Sequence, residues 1–422
     1  MVPQRRSSAG FAAGSGERPT DRVGPVRCGR DGRDRRVCGF CTIWSDMLTS
    51  LSPGSEPPMT QTPDAAIAGD AAQRRAPEHA SKASQAQGAG NGGAVPRARD
   101  PHLDNAKFIA ILLVATGHGM AGVDEVPLAS ATYYFLYLFH MPVFVVICGY
   151  VSKRFTLTDG NAVKHVRSTL APYLIFQTAY SLFAWGFGDR PFEIGLLNPY
   201  YITWFLLALF IWRISTPLWR RMRFPVAVSV VVALLAFMSD LGGTLDLYRI
   251  LGLMPFFVLG LVLRPEMLEI LRRTAVRVLG AVTLAAAFVG MYVAYPHMDA
   301  RWVRWTHSNA DMGVGEVTGT AMRMGLLLTG LVLAAAFLAV VPSRQTWYTG
   351  MATLYTYLLH GFFTRLFTFT GWNEADWLNT VPGVLLVAVV CCVGATLLGT
   401  SPVRRVTRWA VEPDIRPLFS KQ

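Results

Sequence analysis

Three histidines, His118, His140 and His360, lie inside strongly apolar stretches of this chain. An ionisable side chain is expensive in such a setting, so each needs a partner or a task. Histidine is the side chain best suited to take a proton from a hydroxyl near neutral pH. His118 has a companion, Lys107, eleven residues earlier. On a helix that separation is a rotation of about 1100°, which returns to within about 20° of the same face over a rise of roughly 16 Å. Asp104, three residues before Lys107, continues the stripe. The blander alternative has Lys107 snorkelling to headgroups and each histidine making one interhelical hydrogen bond. Tyr133 and Tyr137 share a helix face with His140, and Thr353, Tyr357 and Thr364 share one with His360.

The elements that position these residues follow from composition. The 422 residues are 52% hydrophobic and only 16% charged, against about a quarter charged in a soluble chain. Apolar segments run near 106–122, 131–151, 168–187, 201–219, 224–241, 247–263, 275–295, 321–341, 351–369 and 381–400. Each is close to the ~20 residues that span a bilayer, and backbone satisfaction in lipid makes them helices. The expected fold is therefore all-α, a polytopic membrane protein of about ten transmembrane helices. Alternate loops, counted with the C-terminal tail, hold 18 Lys or Arg on one side and 4 on the other. That asymmetry predicts both termini in the cytoplasm.

Residues 1–100 are rich in Arg, Gly, Ala, Ser, Gln and Pro, lack apolar periodicity and read as a disordered polar tail. Because Met47 and Met59 are internal methionines, part of that tail need not be translated. The membrane domain is expected over 101–413 and a short cytoplasmic tail over 414–422. The net charge of +12 is split among loops instead of lining one surface, which argues against nucleic acid. Cys38-x-x-Cys41 lacks the second ligand pair of a zinc site, and no metal is expected.

Two loops carry candidate binding groups. Arg154, Lys164 and Arg167, with Lys153 and His165, make a basic inner loop whose bland reading is topogenic charge and whose sharper one is a phosphate site. The outer stretch 296–320 carries Trp302 and Trp305 among His297, Asp299, Arg301, Arg304, His307, Asn309, Asp311 and Glu316. These suit either sugar contact or interfacial anchoring. The soluble His-x-x-x-x-Asp acyltransferase pattern is excluded, because the nearest carboxylate after His118 is Asp124, one residue too far.

In order along the chain stand Asp104-Asn105-Ala106-Lys107, Gly117-His118, Phe139-His140-Met141-Pro142, Gly149-Tyr150, and Arg167 with Pro172-Tyr173-Leu174. Trp204-Phe205-Leu206, Pro255 to Gly260, and Tyr357-Leu358-Leu359-His360-Gly361 follow. From about Asp104 to Pro413 this series resembles the bacterial integral-membrane acyltransferase 3 family, especially its fucose-4-O-acetylase-like branch. The resemblance implies an O-acyltransferase of the bacterial cytoplasmic membrane that uses cytosolic acyl-CoA, with acetyl-CoA the expected donor. The acceptor would be a hydroxyl of a surface glycan, sugar or lipid-linked precursor. It makes Lys107 and His118 an essential pair, with His118 catalytic and His140 and His360 as further candidates. Cys148 stands where Ser is usual in the family, and the hydrolase-like domain fused to some relatives is lacking. The expected donor path runs from phosphates held near Arg167, along the Lys107-to-His118 face where Ala115 leaves room. The competing class is a transporter or flippase that uses buried Lys and His in a substrate or proton pathway.

Overall fold

The computed structural model describes residues 100–188, 191–346 and 352–415; the expected N-terminal tail, the Cys38-x-x-Cys41 motif and most of the C-terminal tail lie outside them. Among the described residues the chain is all-helical, with no strand. Helices α1 (Pro101–Met120) and α2 (Pro127–Val151) come first. Short α3 (Asp159–His165) passes through a π-helical turn, Val166–Leu170, into α4 (Ala171–Phe187). Then come α5 (Trp204–Trp219), α6 (Pro225–Phe237), α7 (Leu247–Val262) and the short α8 (Pro265–Leu271). The remainder is α9 (Thr274–Ala294), a short α10 (Ala300–Arg304), α11 (Glu316–Val340), α12 (Thr353–Phe369), α13 (Val381–Leu398) and α14 (Ser401–Val411).

Each of the ten apolar segments read from the sequence falls on one of these helices. Five helical stretches, 127–151, 244–262, 274–297, 316–340 and 381–398, are long and apolar enough to cross a membrane. Helix α9 shows why the surroundings are lipid: Val278, Leu279, Val282, Val289 and Val293 are all exposed, an arrangement water would not tolerate on so long an apolar helix.

Local sequence sets where helices begin. Proline occupies the first turn of α1, α2, α4, α6, α8, α13 and α14, where its missing N–H costs no hydrogen bond. The Asp100 carboxylate caps α1 by accepting from the His102 N–H at 3.0 Å.

The centre of the bundle is α2, which packs against α1, α7, α9 and α11. The α2–α7 contact is a backbone-to-backbone approach. A Cβ on Gly149 would run into the Phe257 carbonyl, and one on Gly260 into the Val146 carbonyl. Small residues at such a crossing let two membrane helices approach closely. Two of the strings that carry the family resemblance thus have a packing function, fixing α7 beside α2.

Helix α1 is tied down at its first turns. Asn105 Nδ2 donates to the Pro342 and Arg344 carbonyls at 2.8 and 2.9 Å. Arg272 on α8's C-terminal side pairs with Asp100 at 2.6 Å. The α1 face from Leu103 to Ala115 is packed in this structure, Ala115 being 2% exposed, so the room expected beside Ala115 is filled.

Candidate active site

The far end of α1 opens on a cavity of about 380 Å³. His118 and Ala121 line it from α1, and Tyr133, Tyr137, His140 and Met141 line it from α2. The chain entering α5 contributes Tyr201, Ile202 and Trp204; α7 contributes Arg249 and Leu253. Val303, Arg304 and Trp305 of the outer loop and Tyr357, Arg365 and Thr368 of α12 complete the wall. Six separate chain segments therefore meet at one place.

His118 is half-buried, and among the described residues no protein hydrogen bond ties its ring. Its ring lies 4.8 Å from Tyr201, 5.4 Å from His360 and 6.2 Å from Tyr137, centre to centre. His140, fully within α2, sits 4.7 Å from Tyr137. The structure thus gathers the three histidines around one aromatic cluster.

Backbone carbonyls fix the tautomers of two of them. His140 Nδ1 donates to the Leu136 carbonyl at 2.6 Å, and His360 Nδ1 to the Tyr357 and Thr356 carbonyls at 2.7 and 3.1 Å. A carbonyl only accepts, so each Nδ1 carries the hydrogen and in the neutral ring each Nε2 presents a lone pair. The His360 Nε2 is buried with no hydrogen-bond partner among the described residues. An unsatisfied acceptor of that kind costs stability, which is what reactive sites tolerate and cores avoid.

Backbone strain concentrates at the same place. Among the described residues four non-glycine residues have positive φ, and two of them, Tyr201 (59°) and Trp305 (58°), line the cavity. Each such conformation costs about 1–3 kcal/mol and persists where the surroundings impose it. Tyr201 is held by its hydroxyl, 2.9 Å from Thr364 Oγ1, and by Arg365, whose guanidinium lies 4.3 Å from the ring centre.

Lys107 is not in the cavity. It is buried and paired with Asp104 at 2.6 Å, on the face of α1 that the helix repeat predicts but toward its opposite end. Lys107 and His118 thus lie on one continuous helix, while the two occupy different environments. Of the basic-loop candidates, Arg154 is exposed and Lys164 and Arg167 are half-buried. Burial, then the nearby Arg167 and Arg213 cations, hold the Lys164 amine below its ordinary pKa. Arg213 approaches this cluster from α5 and donates to Ser152 Oγ at 3.0 Å. His165 is structural, its Nε2 donating to the Phe210 carbonyl at 3.0 Å while its ring stacks on Phe210.

The outer loop divides into lining and scaffolding. Trp305 and Arg304 reach the cavity, whereas Asp311 caps the Ser308 N–H at 2.9 Å and Asn309 donates to Glu316 at 2.9 Å. Trp302 packs on Arg323, a residue the sequence reading passed over. Arg323 is 0% exposed, lies 4.0 Å from the Phe237 ring centre and 4.4 Å from that of Trp302, and donates to the Trp302 and His307 carbonyls. Arg249 and Arg365 were passed over as well. All three sit at the ends of apolar segments, where a charge resembles an ordinary loop residue; the rule that intramembrane charges are functional would have flagged them had it been applied to segment ends. Among the described residues no group of three or more His, Cys, Asp or Glu side chains could hold a metal ion.

The family model described as an acyltransferase domain, acyltransferase 3, matches residues 100–400, which include helices α1 to α13 and every residue of the cavity. No match is found among curated proteins or among solved structures. The cavity is thus framed by the very segments that the family model covers, and the chain belongs to the acyltransferase 3 family, whose members are O-acetyltransferase-like acyltransferases of the membrane.

Proposed function

We propose that the chain crosses the bacterial cytoplasmic membrane ten times with both termini inside. In this reading it moves an acetyl or other short acyl group from cytosolic acyl-CoA to a hydroxyl of a surface glycan, sugar or lipid-linked precursor. Helices on all ten apolar segments and the 18-to-4 charge asymmetry support the topology. The same asymmetry puts the cavity at the outer end of the bundle. The observation that carries the chemistry is His118 facing that cavity with the His360 and Tyr201 rings beside it.

His118 takes the proton of the acceptor hydroxyl as that oxygen attacks the thioester carbonyl. The carbon–sulfur bond breaks, and the proton passes from His118 to the departing coenzyme A thiolate. His140 lines the cavity and His360 packs beside the His118 ring, both in tautomers fixed by backbone carbonyls, which suits orienting His118 and a hydroxyl for transfer. Lys164 and Arg167, backed by Arg213 and with Arg154 at the rim, bind the donor phosphates as charge-assisted partners. An extended pantetheine arm of about 15–20 Å matches the roughly 16 Å rise between Lys107 and His118. Because the α1 face between them is packed, the arm has to part α1 from its neighbours to reach His118. The Lys107–Asp104 pair holds the inner end of that path in place.

Sided vesicles with radiolabelled acyl-CoA on one face and acceptor on the other test this reading. Transfer from cytoplasmic donor to outer acceptor, lost in His118→Ala, is expected. Transfer only when both share the cytoplasmic face defeats the cross-membrane route. No observation favours a transport reading over this one.

A further inference from the structure

The cavity wall is strongly one-sided in charge. Arg249, Arg304 and Arg365 line it, and no Asp or Glu does. Arg249 is matched by Asp246 at 2.7 Å, but among the described residues no carboxylate lies in ion-pair range of Arg304 or Arg365. Arg365 is more than a surface charge. Its Nε is buried without a hydrogen-bond partner among the described residues, and its guanidinium lies 4.3 Å from the ring centre of Tyr201, the residue whose ring touches His118. Leaving a guanidinium donor unsatisfied beside a cavity is costly unless a ligand meets it. Arg304 is exposed and adjoins Trp305, which also lines the cavity.

Aromatic faces beside polar groups take the apolar face of a sugar ring, while planar guanidinium groups take carboxylate or phosphate oxygens in pairs of hydrogen bonds. Resting on the proposed acyl transfer to a sugar hydroxyl, we infer that the acceptor is an anionic saccharide. Its carboxylate or phosphate is held by Arg365 and Arg304, its ring lies against Trp305, and its reacting hydroxyl is turned toward His118. The fixed anion sets which hydroxyl reaches His118, so the arginine pair determines regiochemistry as well as affinity. A neutral sugar of the same shape leaves the Arg365 donors unmet and binds less well.

The test is binding to the full-length protein in lipid nanodiscs, read by quenching of tryptophan fluorescence. Methyl glucuronide probes carboxylate, glucose 1-phosphate probes phosphate, and methyl glucoside is the neutral control. At least one anionic probe is expected to saturate at a concentration about tenfold or more below the glucoside, since charge-assisted hydrogen bonds are about twice as strong as neutral ones. The tighter of the two names the anion. Arg365→Gln and Arg304→Gln should each weaken that probe about tenfold without changing the glucoside, whereas Arg365→Lys should keep most of the preference. The lysine variant and the exposed Arg304 site keep the test decisive if Arg365→Gln misfolds. Equal affinity for the neutral probe, no saturable response to either anion, or anion binding indifferent to both substitutions overturns the inference. Loss of the transfer reading shows separately, as surface O-acylation that survives His118→Ala, and leaves these binding arms intact.

Discussion

The two ends of α1 are built for opposite purposes. At the N-terminal end Lys107 is paired with Asp104, Asn105 is bonded to two carbonyls, and Asp100 and His102 are tied to Arg272 and Ser343. Side chains there are packed and most polar atoms are paired, although His102 Nε2 and Asp104 Oδ2 are buried without a hydrogen-bond partner among the described residues. At the C-terminal end His118 faces an open cavity, His360 keeps an unmet Nε2, Arg365 an unmet Nε, and Tyr201 and Trp305 hold positive φ. The contrast separates a region optimised to stay put from one that carries cost for the sake of reactivity. One helix joins them, so anchoring the first places the second.

The largest expected difference comes from removing one residue at each end. His118→Ala should lower acyl transfer by about 10²–10⁴-fold, the usual yield of a positioned general base, while membrane accumulation stays near normal. Lys107→Ala should act through stability. It leaves the Asp104 carboxylate buried without its cation, a loss of about 3–5 kcal/mol for a broken buried pair, so accumulation in the membrane should collapse. The double change Asp104→Asn with Lys107→Met removes both charges and should restore accumulation. Quantifying protein by immunoblot beside transfer per molecule separates the two ends. Restored protein with normal transfer makes Lys107 an anchor alone; restored protein without transfer gives it a part in the reaction.

The α2–α7 crossing extends the comparison, since it too is built only to hold position. Gly149→Ala or Gly260→Ala drives a Cβ into opposing backbone that cannot rotate away, and a loss of about 1–3 kcal/mol is expected from overpacking. Thermal unfolding in detergent followed by size-exclusion should show lower midpoints for both. Unchanged midpoints would mean that α7 slides freely on α2, and the position of Arg249 in the cavity would lose its support.

How much of this was readable beforehand follows the same division. Hydropathy alone located the helices, because a bilayer demands long apolar runs and the backbone then has one solution. The Lys107-to-His118 stripe was readable because both residues lie on one helix of known repeat. The meeting of His118, His140 and His360 was not, since it depends on which faces three helices turn toward one another. Tyr201 was invisible for another reason: its importance comes from a left-handed turn just before α5, and tyrosine carries no signal for that conformation. Arg323 and Arg365 were legible in type but lay where charge is expected, so position disguised them.

The smallest effect concerns the loop that roofs the cavity, and it tests whether the C-terminal end is held as loosely as the contrast implies. Hydrogen bonds from Arg301 hold the Asp299 carboxyl below its ordinary range, and bonds from Ser308 do the same for Asp311. Burial, aided by Arg301, holds the His307 imidazole below its usual value. In each case the folded value is depressed, so the contribution to loop stability is present above the unfolded value and is lost as pH falls through the folded one. The three act in the same direction. His307 gives way first as the pH drops below the ordinary histidine range, and the two carboxylates follow below the ordinary aspartate range. Amide hydrogen exchange across residues 299–313 should therefore speed up a few-fold between pH 7 and pH 3 after correction for intrinsic rates, with the α1 segment 108–116, which holds no titratable side chain, unchanged. Equal acceleration in both segments would place the acid-sensitive contacts in the bundle as a whole and remove the distinction between its ends.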